Sequence, residues 1–302
     1  MSAPESIPSA SHFLHQVREL ASEIRAGAAE RDRQRRYAVE AIDRLRELGF
    51  WATTVPRQFG GLGLDQKALV EAVQILAAAD GSLGQLPQNH FYTIERLRLA
   101  GSPAQQERYL TRVGDGLFFG NATAEPGERA PGESTTSLRK GADGWLLNGR
   151  KIYATGALLA DYISVLATDE AGLVYTVIVE QGAPGVEIID DWDGLGQRTT
   201  ASGTVQLTNV RVDDTAVLAP LRNSLQAYRI SSLGQLLHAA IDVGLAEAAF
   251  DEAVELSRRV HGGRGSGAAR FTEDVLGVAR IATGAMPEPI PCMMRSAGNC
   301  MP

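Results

Sequence analysis

The sequence predicts an α+β multidomain fold: an N-terminal α-helical domain over 1–115, a central antiparallel β-barrel or sandwich over 116–220, and a C-terminal helical segment over 221–282. Three observations predict it. Apolar residues recur at helical spacing through the first hundred positions. From about Gly116 to Pro220 the pattern changes to short strand-like runs separated by turn residues. After Leu221 the helical period returns. At 302 residues the chain exceeds the size at which one core stops growing, so two or three domains are expected.

In the first domain, Phe13, Val17, Leu20 and Ile24 form one apolar stripe, and Val39, Ile42, Leu45 and Leu48 a second that stops at Gly49. Pro56, Gly60, Gly61 and Gly63 mark a loop. Asp65 is placed to cap a third helix running through Ala79, and Ser82 a fourth that ends near Gly101. Ser102-Pro103 starts a fifth, because proline at the first helical position lacks only an N–H that has no partner there anyway.

The strand-like runs are Leu117–Ala122, Gly144–Tyr153, Tyr162–Ala167, Leu173–Val179 and Thr204–Leu207, with turns read at Asn148-Gly149 and Ala183-Pro184-Gly185. Their spacing suits a barrel or sandwich and not alternating βαβ units. In the last segment Leu237, Ile241 and Leu245 share a face, Gly244 allows close helix approach, and the helix runs to about Val260. Beyond His261 four glycines break it, and FTEDVLGVARI reads as helix again. Residues 283–302 carry both cysteines, Cys292 and Cys300, and four of the five methionines, so they read as a disordered or aberrant tail, with a later helical region lost from the frame.

Composition narrows the function classes. A net charge of −7 and a pI of about 5.4 argue against nucleic acid or an anionic membrane as main partner. The sequence has no apolar run of the ~20 residues that a membrane span needs. MSAPESIPSASHF lacks a signal peptide's basic start and apolar core, so a cytoplasmic protein is expected. Two late cysteines predict neither a disulfide framework nor a metal site.

The stretch Ile188–Val212 concentrates polar chemistry. Gly194 and Gly196 permit a tight path after Trp192, and Arg198, Thr199, Thr200 and Ser202 place donors before a strand in which Val205 and Leu207 alternate with polar residues. Buried, such donors need partners from the chain or from a ligand; solvated, they make an ordinary hairpin corner.

Three segments, taken in order, carry a resemblance: Phe119–Pro126 (FGNATAEP), Gly149–Asp161 (GRKIYATGALLAD) and Trp192–Arg198 (WDGLGQR). With the helix–strand–helix order, the chain resembles the acyl-CoA dehydrogenase superfamily, and within it the flavin-dependent monooxygenase branch typified by dibenzothiophene monooxygenase and sulfur-acquisition oxidoreductases. The similarity runs from about Ser11 to Val260, and briefly again at Phe271–Ile281. It implies that the last domain is an incomplete four-helix bundle. It also implies an FMNH2-dependent enzyme that oxygenates a small organosulfur compound with O2, receives reduced FMN from a separate flavin reductase, and forms a homo-oligomer where the bundle is intact.

By the same resemblance Asn121 faces flavin and substrate, Thr123, Tyr153, Thr155 and Arg198 bind the cofactor, and Trp192 walls its ring. His90, in Asn89-His90-Phe91, matches a histidine that moves a proton during oxygen transfer, with Gln88 and Asn89 beside it; an imidazole titrating near neutrality suits that work. A core histidine on the face of Leu83, Leu86, Ile94 and Leu97 is the plainer alternative. His12, His15, His238 and His261 match nothing in the family. Two other functions stay open. An FAD-dependent acyl-CoA dehydrogenase needs a glutamate from the last bundle that nothing here resembles, and Gly127-Glu128-Arg129 replaces its glycine-serine-aspartate. A truncated, inactive paralogue is the third.

Overall fold

The computed structural model describes residues 9–127, 135–142, 144–221 and 224–261. The chain divides into two units, Met1–Leu245 and Ala246–Pro302. The expected helix at 271–281 and the tail at 283–302 lie outside the described residues.

Five helices build the first half: α1 (Ala10–Gln34), α2 (Val39–Glu47), α3 (Gln66–Ala79), α4 (Gly81–Ala100) and α5 (Pro103–Gly114). The expected stripes are buried: Phe13, Val17, Leu20 and Ile24 on α1, Ile42 and Leu45 on α2. Gly49, at φ 71°, turns the chain out of α2. The Asp65 carboxylate accepts from Ala68 N at the start of α3, as expected. At α4 the cap is Asp80 and not Ser82. Its Oδ1 accepts from Ser82 N and Leu83 N, both at 3.0 Å, while Oδ2 pairs with Arg31 at 2.8 Å. A carboxylate with two acceptors and a buried arginine partner outcompetes a hydroxyl for the helix end. Ser82 is thereby left to bond across to another segment. α5 opens on a capping box in which Ser102 and Gln105 each bond the other's main chain. Ser102→Ala should lower stability by about 1 kcal/mol, read as a fall in denaturation midpoint at constant slope.

Among the described residues eight strands follow: β1 (Phe119–Ala122), β2 (Ser137–Gly141), β3 (Gly144–Lys151), β4 (Tyr162–Thr168), β5 (Val174–Glu180), β6 (Val186–Ile189), β7 (Thr204–Val212) and β8 (Val217–Leu218). Their order is β6-β7-β3-β2-β4-β5-β8, with β1 also on β4. The sheet is mixed and not purely antiparallel, because β1 and β2 both run parallel to β4, one pairing near its start and the other at Thr168. The sequence reading missed β2, β6 and β8, which are only five, four and two residues long.

Asn148-Gly149 is no turn. It continues β3 opposite a bulge in β7, where Leu147 pairs with Val210 and Gly149 with Leu207. The extra β7 residue explains why Leu207 and Val210, three apart, are both buried. Asn148 Oδ1 receives Asn209 N at 2.8 Å, holding Asn209 at φ 52°.

Helix α6 (Leu225–His261) buries Leu233, Leu237, Ala240 and Ile241. Gly244 lets it approach α3, where an added Cβ would sit 2.3 Å from Gln74 O. Leu245, expected on the buried face, is 36% exposed. Among the described residues no helix is long and apolar enough to cross a membrane, and no group of three or more His, Cys, Asp or Glu could hold a metal ion.

Candidate functional site

Helix α4 organises the site because its faces meet different neighbours. Gly81 and Gly84 lie against Leu245 of α6 and Ala77 of α3, and Gln88 and Tyr92 meet Gly234 of α6. Ser82 Oγ accepts from Thr199 N at 3.3 Å, and Leu86 reaches Gly156. Asn89 follows Leu86 at helical spacing, on the face that looks toward the β-domain segments. His90, one position on, is fully buried, and its ring meets β1 at Phe119 N.

The β-domain contributes two crossing segments. Gly120 lets β1 pack on the turn after Tyr153, since a Cβ there would lie 2.9 Å from Ala157 N and 3.0 Å from Gly156 C. Asn121 N then donates to Thr155 O at 2.9 Å. Thr123 Oγ1 donates to Asn121 Oδ1, which leaves the amide Nδ2 as a donor directed elsewhere. Gly156 N donates to Thr200 O at 2.9 Å and Ala154 N to Gly203 O at 3.0 Å, tying this turn to the polar stretch before β7. Ser202 Oγ donates to Thr155 Oγ1 at 3.1 Å, with Thr200 Oγ1 2.7 Å behind it. With Ser202 donating, the hydroxyl hydrogen of Thr155 is not used in this bond.

The aromatic pair stands beside this network. Tyr153 and Trp192 meet edge to face at 5.9 Å, and Trp192 Nε1 donates to Gln197 O at 2.9 Å, fixing the indole plane. Gly194 is required under that ring, because a Cβ there would come within 2.5 Å of Trp192 Cζ2. Tyr153 is 61% exposed, so the pair presents aromatic surface outward. Asp191 anchors the stretch by accepting from Thr204 N at 2.8 Å and Thr204 Oγ1 at 2.7 Å, and the hydroxyl bond draws its carboxyl below the usual range.

Among the described residues, three of the five non-glycine residues with positive φ lie here: Tyr153 (54°), Gln197 (49°) and Ala201 (52°). Backbone strain of this kind persists only where surrounding structure enforces it, and it gathers at binding sites. Gln197, Arg198 and Thr199 are each tied to the helical domain, through Gly81 O, Asp32 Oδ1 and Ser82 Oγ. Arg198 Nε is buried with no hydrogen-bond partner, a donor that a bound acceptor group would satisfy.

Of the residues expected from sequence, Asn121, Thr123, Tyr153, Thr155 and Trp192 are therefore joined by contacts, and Arg198 lies six residues along the same stretch. His90 stands apart from that set. It is fully buried; Nδ1 accepts from Phe119 N at 3.1 Å, and Nε2 lies 2.7 Å from Trp51 O, to which it donates. Trp51, Phe91, Phe118 and Phe119 enclose the ring. Burial lowers its pKa to about 3. Both nitrogens are committed to main chain, so the imidazole stitches α4 to β1 and to the Phe50–Ala52 turn and has no free atom for proton transfer. The site also includes Ser82, which the sequence reading used only as a cap, and Thr200 and Ser202, which it noted as donors without assigning them a place.

The comparisons with known proteins agree with this architecture. Residues 8–116 match the acyl-CoA dehydrogenase N-terminal domain, and residues 120–210 the acyl-CoA dehydrogenase middle domain. The chain belongs to the acyl-CoA dehydrogenase family. This family member is 32% identical over 255 residues to dibenzothiophene monooxygenase from Rhodococcus qingshengii, a match covering 80% of this chain and 61% of that protein. It thus spans about three fifths of the length of that relative. Its fold superposes on FMN-bound TdsC from Paenibacillus sp. A11-2 with a TM-score of 0.78 at 25% identity, covering 90% of this chain and 74% of that one. Butyryl-CoA dehydrogenase from Megasphaera elsdenii gives a TM-score of 0.82, also at 25% identity, covering 94% and 78%.

Proposed function

We propose that this chain belongs to an FMNH2-dependent monooxygenase that oxygenates a small organosulfur compound with O2, its reduced FMN supplied by a separate flavin reductase. The observation that carries the reading is the joined set Asn121, Thr155, Trp192 and Tyr153, built from the three segments that resemble the monooxygenase branch, with Ser202 bonded to it. Relatives named as a dibenzothiophene monooxygenase and a probable FMNH2-dependent monooxygenase, and a structural neighbour solved with FMN, support it.

Reduced flavin, when bound, supplies the electrons that activate O2 and passes on one oxygen atom. The chain's own residues supply the rest. The Trp192 indole gives the tricyclic ring a flat apolar wall. The Thr155 hydroxyl and the Asn121 Nδ2 would offer donors to its polar edge, and Arg198 would offer its unpartnered Nε to an acceptor. Trp192, Tyr153 and Leu86 would border the reacting centre with apolar surface. Asn121 also faces the substrate and orients the oxygen acceptor.

The test is turnover with flavin reductase, NADH and dibenzothiophene or dimethyl sulfone. Oxygenated product is expected, whereas oxygen uptake that yields only peroxide with every sulfur compound tried counts against the reading. Thr155→Val should weaken FMN binding about tenfold, equivalent to the ~1.4 kcal/mol of one hydrogen bond, with little change in thermal stability. Equilibrium dialysis against FMN measures it.

An FAD-dependent acyl-CoA dehydrogenase is the second reading, favoured by the fold match to butyryl-CoA dehydrogenase. Co-purification of FAD and its bleaching by an acyl-CoA would select it. Absence of any flavin binding would select an inactive paralogue. A homo-oligomer is supported by the exposed apolar residues Leu225, Tyr228, Leu236 and Val243 along α6.

A further inference from the structure

One buried charge pair lies outside every role described so far. Lys151, the last residue of β3, is 1% exposed, and Glu125, past the end of β1, is 5% exposed; their Nζ and Oε1 atoms are 2.7 Å apart. Lys151 Nζ also donates to Thr123 O at 3.1 Å. The Glu125 carboxylate accepts from Thr135 N at 2.7 Å, Thr135 Oγ1 at 2.9 Å and Thr136 N at 3.1 Å. The pair therefore sits where β1 ends and β2 begins, both on the same edge of β4.

Taking two opposite charges out of water is favourable only when further hydrogen bonds satisfy both, and apolar side chains of equal volume would often hold the sheet as well. What apolar side chains could not do is grip a main-chain carbonyl. The carbonyl gripped here is that of Thr123, whose hydroxyl in turn holds Asn121 Oδ1. We propose that Lys151 and Glu125 form a positioning pair that fixes, through Thr123, the amide orientation in which Asn121 turns Nδ2 toward the flavin and substrate. The proposal rests on the flavin reading above and adds two residues to it. Neither is a catalytic residue, since both act through Thr123.

The test uses the full chain with FMN as probe. Lys151→Met/Glu125→Gln removes both charges together, so no lone ion is left buried, and the glutamine keeps acceptors for Thr135 and Thr136. Its melting temperature should stay within a few degrees of wild type, while FMN affinity falls about tenfold and the absorption envelope of bound flavin shifts toward that of free FMN. Asn121→Ala should give a loss of similar size, and combining it with the double variant should add little, because coupled residues are non-additive. Thr123→Val leaves the ion pair in place and should reproduce the spectral shift, which keeps the test open if the double variant fails to fold. Unchanged affinity and spectrum in variants of a wild type that binds FMN would overturn the positioning role, as would strictly additive losses. A fall in melting temperature with an unaltered bound-flavin spectrum would also overturn it, marking the pair as structural only. A wild-type chain that shows no saturable FMN binding overturns the flavin reading itself, and the positioning role with it.

Discussion

His90→Ala is expected to destabilise the fold by about 3–5 kcal/mol, the largest loss among the substitutions considered. The change opens a cavity between Trp51, Phe91, Phe118 and Phe119, and it strands the Phe119 N–H and the Trp51 carbonyl without their partner. The same residue sets a pH dependence. Its pKa is about 3 in the fold, against an ordinary value of 6.5. Between those values the unfolded chain binds a proton that the folded chain refuses. Stability is thus fully present above about pH 6.5 and falls by about 1.4 kcal/mol per pH unit as pH drops toward 3. Urea denaturation at pH 7.5 and pH 5 measures both effects, and His90→Ala should lose this share of the acid slope. A histidine working in proton transfer would behave in the opposite way, with near-native stability and lost turnover.

Gly120→Val should disrupt the site without touching any polar residue in it. Even the Cβ would stand 2.9–3.0 Å from main-chain atoms of Ala157 and Gly156, which cannot yield as a flexible side chain can. Overpacking of this kind costs about 1–3 kcal/mol. The strand must shift, and with it the bond from Asn121 N to Thr155 O that aligns the two segments. FMN affinity should fall by more than tenfold, beyond what the stability loss explains. Isothermal titration on the folded fraction at 15 °C separates the two. Retained affinity would show that β1 and the Tyr153–Ala160 turn do not jointly shape the binding surface.

Much of this was legible in the sequence, for identifiable reasons. The helical domain was legible because its stripes are long and its caps are chemically distinct. The one misplaced cap, at α4, depended on Arg31, a residue 49 positions away that steadies Asp80. The sheet's strands were legible where apolar alternation ran long enough to show and lost where a strand has only two to five residues, as in β2, β6 and β8. Its parallel pairings to β4 were invisible, because alternation gives a strand's faces and not its neighbours. Asn148-Gly149 carries a turn's residue types, but the bulge that makes use of them lies in β7.

At the site, the family-like segments located Asn121, Thr155 and Trp192 together. At His90 the motif gave the residue but not its partners, the Phe119 N–H and the Trp51 carbonyl, which lie 29 and 39 positions away. Lys151 did leave a signal. It occupies the inward phase of β3, in step with Leu147, where a charge calls for a buried partner. Nothing local in the sequence names that partner as Glu125.

The most direct measurement is an FMN titration of the purified chain followed by tryptophan emission, with Trp192→Leu run beside wild type. Trp51 is sealed in the core and Trp145 lies at the far end of β3, so Trp192 is the indole placed to report the ring. The account predicts saturable one-to-one binding with strong quenching in wild type, and in Trp192→Leu both the quenching and most of the affinity lost. Equal quenching and equal affinity in the two proteins would contradict it, since a flavin bound that way would lie somewhere other than against Trp192.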